Sequence, residues 1–109
     1  MIKETVKITK SFGEELNAIK DDAISSEKKS LSEYCLSDLK LKCLEQARSG
    51  HSHLELTRKF TSELDKHNIT DVLNFIKSQC DLMKFKTFNI TYEKLYSVGS
   101  HCFNISATW

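Results

Sequence analysis

SLSEYCLSDLKLKCLEQARSGHSHLELT, residues 30–57, is the stretch whose reading decides the fold. Ser30-Leu31-Ser32-Glu33 has the spacing of a capping box, in which a serine and a glutamate satisfy the free amides that open a helix, and Gly50 supplies a left-handed stop. Between them Leu31, Cys35, Leu36, Leu39, Cys43, Leu44 and Ala47 fall on one broad face at 100° per residue, with Glu33, Ser37, Lys40 and Arg48 off it. Directly afterwards Ser52 to Thr57 alternates apolar and polar residues as a half-buried strand does. A helix with one apolar face followed at once by such a strand predicts a helix layer lying on a sheet.

Working outward, a second capping-box spacing at Ser11-Phe12-Gly13-Glu14 opens an amphipathic segment carrying Phe12, Leu16, Ile19 and Ala23, to about Ile24. Residues 25–30 read as a polar corner, which predicts two helices in antiparallel contact. A single long helix through Ser30 stays open, because that corner holds no strong breaker. Before it, Ile2, Val6 and Ile8 give a weak strand signal. Beyond the strand, Thr61 to Leu64 could start one helical turn, and Thr70 is a good N-cap for an amphipathic helix over Asp71 to Met83. Its apolar side carries Val72, Leu73, Phe75, Ile76, Cys80, Leu82 and Met83.

Phe85 to Tyr92 then alternates, a turn falls at residues 97–100, and His101 to Trp109 alternates again, which predicts a closing antiparallel hairpin. If the strand near residue 54 and that near residue 88 are parallel neighbours, the helix between them makes a right-handed crossover. The expectation is one domain over residues 1–109. It is a two-layer α+β fold: N-terminal helices and one later helix packed on a small mixed or antiparallel sheet, with a C-terminal β-hairpin.

Composition narrows the function classes. Net charge is +1 and balanced between the halves, and the local basic clusters are only Arg58-Lys59 and Lys84 with Lys86. Nucleic-acid binding draws on many cations gathered on one surface, so that class falls behind. No apolar run approaches the length that spans a bilayer, and charges interrupt the first ten residues where a secretory leader needs an apolar core, so a cytoplasmic protein is expected. In a reducing cytosol Cys35, Cys43, Cys80 and Cys102 read as small buried residues rather than disulfide partners.

Chemistry-bearing constellations are sparse. His51, His53 and Glu55 would share a strand face and could hold zinc with a water. A solvated strand face explains them more simply. His101 and Cys102 are adjacent in a strand and point to opposite faces, so they do not make a thiol and base pair. Gly13, Gly50 and Gly99 are isolated and form no phosphate loop, and no hydrolase or paired-cysteine motif occurs. The expectation is a protein without cofactor or metal that is not an enzyme.

One feature exceeds what folding needs. Tyr34 and Leu41, seven residues apart, lie over one another away from the main stripe, beside Asp38, Glu45 and Arg48, in the pattern of a protein contact. Coverage of both by the N-terminal helix is the competing explanation. Trp109, closing an apolar last strand, marks a second candidate surface.

The order of a helix ending Ala47-Arg48-Ser49-Gly50, a short strand, Val72-Leu73-Asn74-Phe75-Ile76 in a second helix and a final strand Phe103 to Trp109 resembles that of short bacteriophage proteins. The chain departs from them by placing Ala107-Thr108 before Trp109 and by lacking a Gly-Tyr before the penultimate strand. The resemblance implies a phage-encoded accessory protein that binds a host or defence protein in the host cytoplasm. A self-associating virion component is the alternative and a nucleic-acid module comes third, while a homodimer stays open for the accessory protein.

Overall fold

The computed structural model describes residues 11–109, so the weak strand signal at Ile2, Val6 and Ile8 lies outside the described residues. Two helices, α1 (Phe12–Arg48) and α2 (Lys66–Leu82), cover one face of a sheet of β1 (His53–Thr61), β2 (Thr87–Lys94) and β3 (Ser100–Thr108). The strand order is β1-β3-β2 and both pairings are antiparallel. The α+β class and the closing β2-β3 hairpin are as the sequence predicts. The crossover between parallel neighbours is not: β3 lies between β1 and β2, and among the described residues the sheet has only antiparallel pairings.

The predicted pair of N-terminal helices is one helix of 37 residues. Ser11 caps it, its hydroxyl accepting from the Glu14 amide at 3.1 Å. No glycine or proline interrupts residues 25–30, and two of the three side-chain contacts there tie the stretch to distant parts of the chain. The Lys28 ammonium donates to Asp71 at 3.0 Å, the Ser32 hydroxyl to the Lys28 carbonyl at 2.8 Å, and the Ser62 hydroxyl to Glu27 at 2.7 Å. At the far end Gly50 takes φ +84°. Its amide donates to the Ala47 carbonyl and that of His51 to the Gln46 carbonyl, which closes the helix in a Schellman motif.

β1 runs four residues further than alternation suggests, because Arg58 points inward yet finds cover there. The helical turn expected at Thr61 to Leu64 is absent. The Ser62 hydroxyl instead accepts from the Leu64 amide, and Asp65 accepts from the Asn68 amide at 2.8 Å, so α2 starts a turn before Thr70. Thr70 is an interior residue whose hydroxyl donates back to the Lys66 carbonyl. β2 is shifted two residues from its expected bounds, but Phe88, Ile90 and Tyr92 do share the inner face.

The core lies between helices and sheet, around Leu39, Ile69, Ile76 and Phe103, all fully buried. Cys35 and Cys80 belong to it, as the periodicity of their helices predicts. Four expected core residues do not: Leu44, Ala47, Phe75 and Leu82 are exposed. The other sheet face carries Thr57, Asn89, Thr91, Asn104 and Ser106, a polar surface on which no Phe, Tyr or Trp stands among the described residues. Ser62 staples the near end of the sheet. Its amide donates to the Gly99 carbonyl at 2.8 Å, and Gly99 sits at φ +74° where a Cβ would come within 3.3 Å of the Ser62 carbonyl.

Candidate protein-contact surface

α1 is apolar on two opposite sides. Leu31, Cys35, Leu39 and Cys43 face α2 and the sheet. At 100° per residue Phe12, Leu16, Ile19, Ala23, Tyr34 and Leu41 fall within an arc of about 60°, centred roughly 150° from that inner stripe. All six are exposed, Phe12 at 72%, Leu16 at 49%, Ile19 at 65%, Tyr34 at 56% and Leu41 at 50%. They form a line about 44 Å long at 1.5 Å per residue. Every described residue from Ser11 to Ala23 is exposed; Lys20 and Ala23 border a cleft with Glu63 to Asp65, and α1 before them stands clear of the body. Ile24 is the first apolar residue to pack against the core.

Tyr34 and Leu41 are therefore on the surface, and among the described residues no separate helix covers them. Their predicted rim is only in part a rim. Asp38 turns inward, 3.5 Å from the Arg58 guanidinium, which in turn lies 4.3 Å from the Tyr34 ring centroid. That ion pair is loose: Asp38 Oδ2 and Arg58 Nε are buried without a hydrogen bond. Glu45 and Arg48 remain exposed. Trp109 is half-exposed, its amide bound to the Ser52 carbonyl and its ring 6.4 Å from that of Phe85. The contribution of Phe12, Leu16 and Ile19 to this surface was hidden in the sequence, since their spacing is equally that of an inward-facing stripe. Extending the Tyr34–Leu41 line backward in steps of three and four residues would have found it.

The candidate chemical groups stay apart. His51 precedes β1, with its ring 5.9 Å from that of His53, and among the described residues no three His, Cys, Asp or Glu side chains gather as a metal site would require. His101 is buried beneath Phe60, with both ring nitrogens engaged. Nε2 donates to the Ser62 carbonyl at 3.1 Å, so Nδ1 accepts from the Tyr92 hydroxyl at 2.7 Å. Cys102 lies across the sheet from it, beside Asn104. Burial first, then the neighbouring Glu93 carboxylate, pushes the Cys102 thiol up, against Lys59. Burial likewise raises Cys35 and Cys80 to about 11, which keeps both as unreactive thiols at neutral pH. With Arg58 turned inward, the Arg58-Lys59 cluster presents a single outward cation.

A groove of about 330 Å³ separates α1 from α2, lined by Lys28, Ser32, Val72 and Phe75 and bridged by the Lys28–Asp71 pair. Among the described residues no helix is long and apolar enough to cross a membrane. No protein-family model matches the chain, and neither does any curated protein or solved structure.

Proposed function

We propose that this is a non-catalytic protein whose work is to bind another polypeptide, and that the outer face of α1 is the surface it uses. One observation carries the reading: five large apolar side chains stay exposed along one line of a helix whose opposite side already supplies the core. An exposed apolar stripe with a charged border is what a helix presents to a partner. The phage resemblance supplies the setting, an accessory protein in the host cytoplasm acting on a host or defence protein. Self-association, as in an assembly component, would use the same line of residues.

A photo-crosslinking amino acid at Ile19, compared with one at Thr91 on the polar sheet face, tests this in cells. Covalent adducts to a polypeptide are expected from position 19 and not from position 91. Adducts from position 91 alone would move the contact surface to the sheet and end the reading.

A further inference from the structure

The outer stripe of α1 has a symmetry that its function as a contact surface does not require. Phe12 and Leu41, and Ile19 and Tyr34, are each centred on the same point, between Ser26 and Glu27, as are the small Ala23 and Ser30, while Leu16 falls opposite Ser37. Resting on the reading of this face as a protein-contact surface, we infer that its occupant is a second copy of the chain, with the two α1 helices antiparallel about a two-fold axis at that point.

In that arrangement the exposed first third of each α1 covers the outer face of the other. Phe12 lies over Leu41 of the second copy, and Ile19 over its Tyr34. A two-fold axis brings one patch against itself, so each contact occurs twice, and the spacing of the stripe is what such self-pairing needs. The residues at the crossing, Ala23, Ser26 and Ser30, are small and let the two backbones approach closely.

Charge agrees along the border nearer α2. Glu15 falls beside Lys40 of the second copy, and Asp22 beside its Lys29, with Glu33 the like-charged neighbour there. Glu27, which would meet its own copy at the axis, is already tied inward by the Ser62 hydroxyl. The area suffices as well. Taking about 200 Å² for a full large side chain, the exposed fractions sum to on the order of 600 Å² of apolar surface per copy. The roughly 800 Å² per partner of a stable interface then requires flanking polar residues to supply about a quarter.

The test uses the full chain in solution. Sedimentation equilibrium is expected to give twice the 12.5 kDa chain mass, and Ile19→Asp to weaken the dimer by at least about thirtyfold, while circular dichroism and melting temperature, compared at a dilution where both chains are monomeric, stay unchanged. Glu15→Lys should weaken it several-fold, and adding Lys40→Glu should restore it, which only the antiparallel register allows. Under mild oxidation Ser26→Cys is expected to crosslink to its own copy and Ile19→Cys alone not to, with the wild-type chain and its largely buried cysteines as the background. Self-crosslinking at both positions would mean parallel helices and overturn the inference. A chain that stays monomeric at all concentrations also overturns it. The contact-surface reading survives that result if a crosslinker at Ile19 still captures a different protein, and falls with it if position 19 captures nothing.

Discussion

The two ends of α1 are one continuous helix under opposite constraints. From Ile24 to Cys43 the helix is held against α2 and β1, with Cys35 and Leu39 fully buried. From Ser11 to Ala23 no described residue is buried, although apolar residues recur there at helical spacing just as they do further on. Periodicity alone thus fixes that a face exists, and not what the face meets. The difference comes from length. At 1.5 Å per residue α1 extends about 55 Å, while nine-residue strands extend about 30 Å, so the sheet cannot underlie all of it.

The sharpest way to break this comparison is to truncate one side chain at each end. Leu39→Ala should destabilise the fold by about 2–5 kcal/mol, because the cavity lies where helices and sheet have no freedom to collapse. Ile19→Ala in the same denaturant titration, under conditions that keep the chain monomeric, should stay within about 0.5 kcal/mol. Equal losses would mean that the two ends are not different.

A smaller effect sharpens the comparison at the boundary between faces. Asp38→Ala strands the half-buried Arg58 guanidinium and should cost about 1–3 kcal/mol in chemical denaturation. Removing both charges, Asp38→Leu with Arg58→Met, should recover most of that loss, since replacing a loose buried ion pair by apolar residues is often neutral.

A further effect is an alkaline loss from the thiols buried where the clamped end of α1 meets α2. Cys35 and Cys80 rise from 9.0 to about 11 on folding, chiefly through burial. Their contribution is fully present below pH 9, where both states are protonated, and is lost as the pH climbs from 9 to 11, because the unfolded chain releases those protons first. Stability measured across that window should fall less steeply in Cys35→Val than in the parent chain.

The smallest effect is expected at Asp71, whose hydrogen bond from Lys28 holds its carboxyl below the usual range. That stability is present above the unfolded pKa and is lost as the pH falls through the lowered folded value, so Asp71→Asn should flatten the acid limb slightly. The pair is exposed and screened, and its effect should shrink further in salt.

What could be read from residues alone follows the same division. The Gly50 stop, the inner stripe from Leu31 to Cys43 and the closing hairpin are local signals of the chain, and they are found as expected except that β2 is displaced by two residues and the stripe ends before Leu44. The continuity of α1 was open because no residue in 25–30 breaks a helix, and the contacts that anchor that stretch reach to Ser62 and Asp71, far along the chain. Arg58 was misread as a surface cation for the same reason, since its cover comes from Asp38 and Tyr34 on another element. Tyr34 and Leu41 were legible as an outer pair. Their continuation through Phe12, Leu16 and Ile19 depends on where the body ends, which no local spacing encodes.

The position of β3 in the middle of the sheet bears on how the chain acquires its shape during translation. β1 and β2 do not touch each other, and both wait for a strand that the ribosome delivers after them. Until β3 emerges, β1 carries two open edges while the 38 residues between Thr61 and Ser100 are added, and Arg58 has only Asp38 and Tyr34 of α1 for company. Pairing His53 with Thr108 then closes a loop of more than fifty residues, a slow step compared with winding α1, so the nascent polypeptide should pass through a helical, sheetless stage in which those edges need protection from other chains.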